Sequence, residues 1–220
     1  MEKTRPKPAF DFIAGRLCLD FANTADWHRT SRPGERLQSC AALAVWAQAA
    51  GQIDAQEARQ LTDYVGRHPG KARKILRRAI ALREAVYRIF SDASEGKKSS
   101  DKDLELLNFE LAEGLSRRML TSTTDGYSWK WEADTSAKRL TRTLWEVARS
   151  AAELLTSPPE LARVRQCADD RGCGWLFFDT SRNRTRKWCD IRDCGNRAKA
   201  RRHYERRRRK QPVASTTDQA

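Results

Sequence analysis

The chain has 220 residues, of which 39% are hydrophobic and 33% are charged. This composition allows a core for one ordinary domain with a small added module, or for two small domains. No apolar run approaches the roughly 20 residues that a membrane span needs, and the charged N-terminus lacks the apolar region of a signal peptide. We therefore expect a soluble cytoplasmic protein with no membrane partner.

The positive charge and the cysteines are concentrated in one part of the chain. The formal net charge is +14, and residues 161–210 hold 17 Lys and Arg against 6 Asp and Glu. The remaining residues are nearly balanced, with 26 against 23. Four of the six cysteines fall in the same segment, and in a protein that is not exported they are expected to be thiols or metal ligands rather than disulfides. Basic residues beside such a cluster indicate a surface for a polyanion.

The first predicted element is a strand over residues 15–21. Leu17, Leu19 and Phe21 alternate along it, and a period of two is typical of a strand. In and after this segment, four polar residues either line a ligand pocket or, as is more common, cap turns and close loops. These residues are Asp20, Asn23, Asp26 and His28.

Four helices are predicted next from apolar residues at helical spacing. Gly51 ends the first, and Asp54 with Glu57 forms a capping box that opens the second. Pro69 begins the third, and Ser100 is expected to cap the fourth. The four apolar stripes are Leu43, Trp46, Ala47 and Ala50; Ala58, Leu61 and Val65; Ile75, Ala79, Leu82, Val86 and Ile89; and Leu104, Leu107, Leu111 and Leu115.

A hairpin is predicted around the tight turn at residues 125–126. Tyr127, Trp129 and Trp131 alternate after this turn, and such aromatic residues usually pack in a core, although Trp129 and Trp131 could instead stack on bases or on an aromatic ligand. A last helix ends before Pro158. Its apolar residues are Leu140, Leu144, Ala148, Ala151 and Leu155.

The predicted fold class is therefore α+β in three parts. Residues 1–158 form a mostly helical N-terminal domain with a small β component. Residues 159–210 form a four-cysteine zinc finger with a basic helix, and residues 211–220 form a disordered tail.

The cysteines of the C-terminal segment have the spacing of a metal site. Cys167 and Cys173 enclose five residues, fifteen residues follow, and Cys189 and Cys194 enclose four. Two close pairs separated by the length of a hairpin can bring four thiolates around a tetrahedral Zn²⁺. Four protein ligands leave no position for water or substrate, so the predicted zinc is structural.

The segment between the two cysteine pairs is predicted to fold back as a hairpin. Residues 175–179 would be the outgoing strand and residues 186–188 the return strand, with a polar loop between them. His203 lies nine residues beyond Cys194, so we expect a solvated helix residue there rather than a zinc ligand.

A basic helix is predicted directly after the last cysteine. Gly195 would permit the turn out of the metal site and Asn196 would be the N-cap, while Ala200 and Tyr204 would dock the helix on the finger. The like charges repel one another unless phosphates offset them. The predicted nucleic-acid contacts are Arg182, Arg184 and Arg186 from the loop, and Arg197, Lys199, Arg201, Arg202 and Arg206 from the helix.

Two segments carry a resemblance to known families. The finger, with Cys173-Gly-Trp-Leu-Phe, Arg186-Lys-Trp-Cys and Cys194-Gly-Asn-Arg, resembles the bacterial CGNR zinc finger. Residues 15–24 resemble the opening of the ABATE domain, which precedes this finger in proteins described as stress-induced transcription regulators. The resemblance implies zinc and DNA binding, and RNA binding has also been suggested for the finger.

These observations favour a DNA-binding bacterial transcription regulator. The alternatives are an RNA-binding protein, and a protein–protein adaptor in which the zinc finger is only a scaffold. No enzyme is expected, because the chain has no Gly-rich phosphate loop, HExxH motif or nucleophile elbow. Cys18 and Cys40 are predicted to be small buried apolar residues. The sequence leaves open a small-molecule effector at the N-terminal domain, a homodimer and the target sequence.

Overall fold

The structure is a computed structural model that describes residues 9–132 and 136–210, with the backbone alone at 136–138, 209 and 210. The predicted tail at 211–220 lies outside the described residues. The helices are α1 Leu17–Ala22, α2 Cys40–Ala49, α3 Ala55–Arg67, α4 Pro69–Ser94, α5 Asp101–Leu115, α6 Ser136–Leu155, α7 Pro158–Leu161 and α8 Asn196–Lys210. The strands are β1 Ala25–Asp26, β2 Gly34–Glu35, β3 Arg118–Thr123, β4 Gly126–Trp131, β5 Val164–Gln166 and β6 Leu176–Phe178.

Helices α1 to α6 surround one hydrophobic core, which confirms a mostly helical fold. α1 packs against α4 and α6, α2 against α3, and α5 against both α4 and α6. Trp46, Phe21 and Phe90 are its largest fully buried side chains. Within the part of the chain that the structure describes, no helix is long and apolar enough to cross a membrane.

The predicted helix boundaries are mostly confirmed by local contacts. Asp54 and Glu57 form the reciprocal capping box of α3, and Pro69 opens α4. Gly51 follows α2 with φ of +69°, a conformation that ends a helix and favours glycine. Ser100 stands at the N-cap of α5, but its side chain makes no capping hydrogen bond there.

The predicted strand at residues 15–21 is wrong, because residues 17–22 form helix α1. The residues from Cys18 to Ala22 are all buried, since α1 lies between α4, α6 and β6. A helix buried on nearly every side needs no polar face. The alternation of Leu17, Leu19 and Phe21 is therefore not the period of a strand.

The hairpin β3–β4 is confirmed, but its aromatic side chains do not all lie in the core. Leu120 pairs with Trp129 across the strands, and Tyr127 and Trp129 are 78% and 58% exposed. Trp131 packs inward on Trp145, with ring centroids 5.5 Å apart. The prediction of a buried aromatic face is therefore wrong for the outer half of the hairpin, which extends beyond the helices that would cover it.

The finger forms a sheet with a different partner from the predicted one. β6 pairs antiparallel with β5, with Val164 opposite Phe178, rather than with residues 186–188. That return segment instead contacts the first cysteine pair, where the Ala168 N–H donates to the Lys187 carbonyl at 2.9 Å. Since β5 precedes Cys167, its pairing with β6 closes the chain around the first two cysteines.

The finger shares its hydrophobic core with the N-terminal helices. Val164, Leu176 and Phe178 belong to the same buried cluster as Phe21 and Leu144. A second, smaller cluster gathers the four C-terminal cysteines with Trp175 and Phe177. The finger is therefore packed against the helical part along β5 and β6, while the predicted domain limits stay a prediction.

Candidate zinc centre and nucleic-acid interface

The first cysteine pair lies on a turn that is docked against the N-terminal part of the chain. Gly172 and Gly174, on either side of Cys173, have φ of +94° and +67°. A Cβ at Gly174 would lie 2.8 Å from the Tyr87 hydroxyl, and one at Gly172 would lie 2.7 Å from Thr30 Cγ2. Both positions therefore need glycine for its backbone conformation and for its small size.

The structure brings the four predicted cysteines together. Their sulfur atoms all lie within 4.8 Å of one another, and all four residues are buried. Cys173 and Cys189 Sγ are 3.7 Å apart, and Cys189 and Cys194 Sγ are 3.6 Å apart. Zn–S bonds of about 2.3 Å at tetrahedral angles require sulfur separations of about 3.8 Å. The cluster therefore fits a four-coordinate Zn²⁺.

The electrostatics of the cluster also favour a bound cation. Close contacts with Cys167 and the other two sulfurs, together with burial, raise the pKa of Cys189. Four thiolates cannot share such a small buried space unless a positive charge offsets their repulsion. Zinc supplies that charge, and with four sulfur ligands it has no open position. The finger thus holds a structural zinc ion.

Arg197 lies in the zinc centre instead of extending into solvent. Its Nη2 donates to Cys194 Sγ at 2.9 Å, its Nε donates to Asp169 Oδ2 at 3.3 Å, and its Nη1 also pairs with Asp193. Its guanidinium carbon lies 5.4 Å from the centre of the Trp27 ring. Four thiolates on one Zn²⁺ leave two negative charges, and a hydrogen-bonded guanidinium offsets part of them.

We expect Arg197→Gln to lower zinc affinity about 10- to 100-fold, the usual effect of losing an outer hydrogen bond to a metal ligand. Competition against a chromophoric chelator measures this change. Arg192→Gln is the matched control, because Arg192 is exposed and the substitution removes the same charge two residues before Cys194. Equal zinc affinities in the two variants would contradict this role of Arg197.

The start of α8 differs from its prediction. A π-helical turn, Ile191–Gly195, precedes it and carries Cys194, and Asp190 caps this turn by accepting from the Arg192 N–H at 2.7 Å. Asn196 is already helical, with φ −67° and ψ −40°, so it is not the N-cap. Gly195 is buried as the last residue of the same turn, so it does not form a separate turn between the metal site and α8. The helix is thus continuous with the metal site.

The predicted docking of α8 through Ala200 and Tyr204 is also wrong. Both residues are exposed, Tyr204 by 67%. The helix is held instead at its first turn, through the zinc-bound Cys194 and Arg197. Arg201 adds a salt bridge to Asp170 and another to Glu205 at 3.3 Å.

The predicted nucleic-acid contacts fall into two groups, and their role stays a prediction. Arg186 is held within the protein: it donates to the backbone carbonyls of Trp188 and Cys189 and lies 4.4 Å from the Phe177 ring centre. Arg197 and Arg201 have the carboxylate and sulfur partners given above. Five residues are exposed without an ion pair to any described residue: Arg182, Arg184, Lys199, Arg202 and Arg206.

The helical members of the exposed group form one row. Lys199, Arg202 and Arg206 line a shallow groove together with His203, which is exposed and is not part of the cysteine cluster. At about 100° per residue, this row lies on the face of α8 opposite Arg197. The cationic row therefore points away from the zinc centre.

The face of the finger on the Arg197 side is a cleft lined by aspartates as well as by Arg197. A cavity of about 430 Å³ lies between the finger and the N-terminal part of the chain. Its lining includes Trp27, Arg197 and three zinc-site cysteines, and four carboxylates surround them. The carboxylates are those of Asp11, Asp26, Asp190 and Asp193. Arg36 pairs with Asp11 and Asp26, and Arg197 pairs with Asp193, so this side carries mixed charges rather than a cationic row.

The four polar residues of the N-terminal segment have mainly structural contacts, as expected for most such residues. The buried Asp20 accepts from the Ala14 N–H at 2.9 Å, and burial raises its pKa to about 6. His28 stacks on Tyr87 with centroids 3.7 Å apart. Asp26 differs from them because it lines the cleft beside Arg197.

The two isolated cysteines are buried thiols, as predicted. Burial raises the pKa of Cys18 to about 12 and that of Cys40 to about 11.

Asn23 links the helical part to the finger. Its Oδ1 accepts from the Leu176 N–H at 2.9 Å, and its Nδ2 donates to the Leu176 carbonyl at 2.8 Å. The Ala14 carbonyl accepts from the Phe178 N–H at 2.8 Å on the same edge of β6. A side chain and a loop thus take the place of a third strand.

Asp169 and Trp27 were missed by sequence reasoning. Asp169 accepts from the Arg171 N–H at 3.1 Å, and this Asx turn is signalled in the sequence by an Asp shortly before a glycine. Burial opposes ionisation of Asp169, but hydrogen bonds from Arg171 hold the pKa of its carboxyl below its usual value. No local signal marks Trp27, because its partners Arg171 and Arg197 are far away in sequence.

A helical domain packed on a four-cysteine finger with a cationic helix defines a zinc-finger protein with a structural metal. The family comparisons agree with this class. The CGNR zinc finger model matches residues 163–207, and the ABATE model, described as "Putative stress-induced transcription regulator", matches residues 15–158. The chain belongs to the ABATE family and ends in a CGNR zinc finger. No curated protein matches it.

Proposed function

We propose that this chain is a non-enzymatic DNA-binding transcription regulator of the bacterial cytoplasm, with α8 as its DNA-contacting element. The observation that carries the proposal is the exposed row of Lys199, Arg202 and Arg206 on a helix that the zinc site fixes at one end. An anchored helix presents its charges in a fixed direction, which a flexible basic tail cannot do. The family description supports a regulatory role.

The shape of α8 favours duplex DNA over duplex RNA. The helix has 15 residues. Lys199, Arg202 and Arg206 on one of its faces are exposed, and the Arg202 guanidinium lies 5.9 Å from the centre of the Trp188 ring. The major groove of B-DNA is about 12 Å wide and admits a helix, whereas the major groove of A-form RNA is too deep and narrow for side chains to read. RNA binding is therefore the alternative outcome of the test.

The test is a titration of duplex DNA with the zinc-loaded chain at several salt concentrations. About five phosphate contacts predict a slope of about −4 to −5 in a plot of log K against log salt. The triple variant Lys199→Gln/Arg202→Gln/Arg206→Gln is expected to reduce that slope by about 2 to 3 and to weaken binding on the order of 100-fold near 0.1 M salt.

A matched control removes three exposed positive charges from the helical part: Arg59→Gln/Lys98→Gln/Lys102→Gln. It should leave the slope and the affinity close to those of the native chain. Equal losses in the two triple variants would mean that net charge alone matters, and would contradict an interface on α8. Tighter binding to matched duplex RNA in competition would replace DNA by RNA, and no salt-dependent binding to either would favour a protein–protein adaptor.

A further inference from the structure

A second basic surface lies on the first turns of α4. Residues 67–78 hold six Lys and Arg and no Asp or Glu. Outside residues 161–210 the chain has 26 basic residues against 23 acidic ones, so without this run those residues would carry a net negative charge. Four side chains of the run are exposed on α4, and together they form the α4 patch: Lys71, Arg73, Lys74 and Arg77.

The arginines further along α4 differ from the α4 patch because they have carboxylate partners. The hydrogen-bonded pairs are Arg78 with Glu110 at 2.7 Å, Arg83 with Glu35 at 2.7 Å and Arg88 with Asp103 at 2.9 Å. No member of the α4 patch forms an ion pair with a residue that the structure describes. Glu113 lines a groove with Lys71 and Lys74, but it lies beyond ion-pair distance of both. The charge of the patch is therefore left for a partner outside the chain to offset.

The α4 patch stands where positive charge is unfavourable for the helix. No acidic residue lies in the first turn of α4, although the positive end of the helix dipole favours one there, and Lys71 occupies that turn instead. Arg73 and Arg77 are four residues apart and Lys74 is three residues before Arg77, so neighbouring charges repel one another along the surface. A bound polyanion would offset this repulsion.

The α4 patch is separate from the part of α4 that contacts the finger. Gln166 Nε2 donates to the Tyr87 hydroxyl and to Ser91 Oγ, both at 3.0 Å. Lys74 lies thirteen residues before Tyr87, which is about 20 Å along a helix. A duplex carries phosphates along its whole length, so a contact at this distance from the finger needs no particular base sequence.

We propose that the α4 patch is a second contact for the phosphate backbone of DNA. Its four side chains would bind phosphate oxygens and position the duplex without reading bases. Each contact would release counterions from the DNA, so the patch adds both affinity and salt dependence. The inference shares its partner, duplex DNA, with the function proposed for α8, but the two surfaces can be tested separately.

The first measurement is the protection of lysine amines in the zinc-loaded full chain. Acetylation with a limiting amount of reagent, followed by mass spectrometry of the peptides, reports the reactivity of each lysine with and without duplex DNA. Lys71 and Lys74 should lose most of their reactivity in the complex. Lys102 on α5 and Lys130 on the hairpin are exposed and should keep theirs. Unchanged reactivity of Lys71 and Lys74 in a chain that has bound the duplex would overturn the proposal.

The second measurement is the salt dependence of DNA binding by the patch variant Arg73→Gln/Lys74→Gln/Arg77→Gln. The slope of log K against log salt is expected to fall by about 2 to 3, and binding to weaken by about tenfold or more near 0.1 M salt. Because glutamine relieves the repulsion on α4, the patch variant should melt at or slightly above the native temperature, so the lost affinity would not come from unfolding.

The control variant Lys98→Gln/Lys102→Gln/Lys130→Gln removes three exposed charges outside the patch and should bind DNA as the native chain does. Equal losses in the patch variant and this control would mean that only net charge matters, and would overturn the proposal. Native DNA affinity and slope in the patch variant would also overturn it, and would leave an acidic protein as the partner of this surface.

The α8 variant described above separates this inference from the proposed function. If the patch variant loses affinity while the α8 variant binds as tightly as the native chain, the α4 patch contacts DNA and α8 does not. If only the α8 variant loses affinity, α8 contacts DNA and the inference about the α4 patch is wrong. Losses in both variants, with the control unchanged, would support both surfaces.

Discussion

Replacement of Cys189 by serine is expected to release the zinc ion and unfold the finger. Cys189 Sγ lies 3.7 Å from that of Cys173, 3.6 Å from that of Cys194 and within 4.8 Å of that of Cys167, so the substitution removes one of the four ligands. Metal binding contributes on the order of 10 kcal/mol to the folding of such small modules. The finger's own buried cluster consists mainly of the cysteines with Trp175 and Phe177, which is too little apolar surface to replace that contribution.

The measurements for this variant are zinc content per chain and urea unfolding followed by tryptophan fluorescence. Cys40→Ser is the matched control, because it makes the same chemical change at a buried cysteine outside the cluster. The control should keep one zinc and lose about 1 kcal/mol of stability. A Cys189→Ser chain that retains one zinc per molecule and native unfolding would contradict the four-cysteine site.

Asn23→Leu is expected to destabilise the whole molecule although Asn23 touches neither metal nor the basic helix. Leucine keeps the size of the side chain but leaves the N–H and carbonyl of Leu176 unpaired in a buried setting, where Asn23 itself is 3% exposed. Each unpaired group costs about 1–3 kcal/mol, so we expect a loss of about 2–4 kcal/mol. In a chain of this size the melting temperature should then fall by roughly 5–10 °C.

Thermal unfolding followed by circular dichroism measures this change. Asn183→Leu is the control, since Asn183 lies on the exposed loop of the finger and its loss should alter stability by less than about 0.5 kcal/mol. Zinc content should stay at one per chain in both variants. A melting temperature for Asn23→Leu within a degree of the native value would show that the amide does not join the two parts.

Features with a strong local signature could be predicted from the sequence. The capping box at Asp54 and the spacing of Cys167, Cys173, Cys189 and Cys194 each define their own geometry, and the structure reproduces them. The resemblance to the two families is borne out by the family models.

The errors arose where distant contacts decide the outcome. Burial of α1 on nearly all sides hides its helical period, so its alternating apolar residues predict a strand. The partner of β6 is Val164–Gln166, which lies before Cys167 and outside the predicted hairpin, while Asn23 and Ala14 bind its other edge. The contacts of Arg197 could not be predicted from its position in a basic run, because Asp169 and Trp27 come from other parts of the chain.

The exposed cationic row on one side of α8 and the paired, mixed charges on the other give the C-terminal part an uneven charge distribution. A molecule with such an electric dipole experiences a torque in the field of a polyanion before any contact is made. The aspartate-lined side turns away and the Lys199–Arg206 side turns forward, so a larger share of diffusional collisions begins in a productive orientation. Salt would then slow association as well as weaken the final complex, because the torque fades beyond a screening length of about 10 Å at 0.1 M ionic strength.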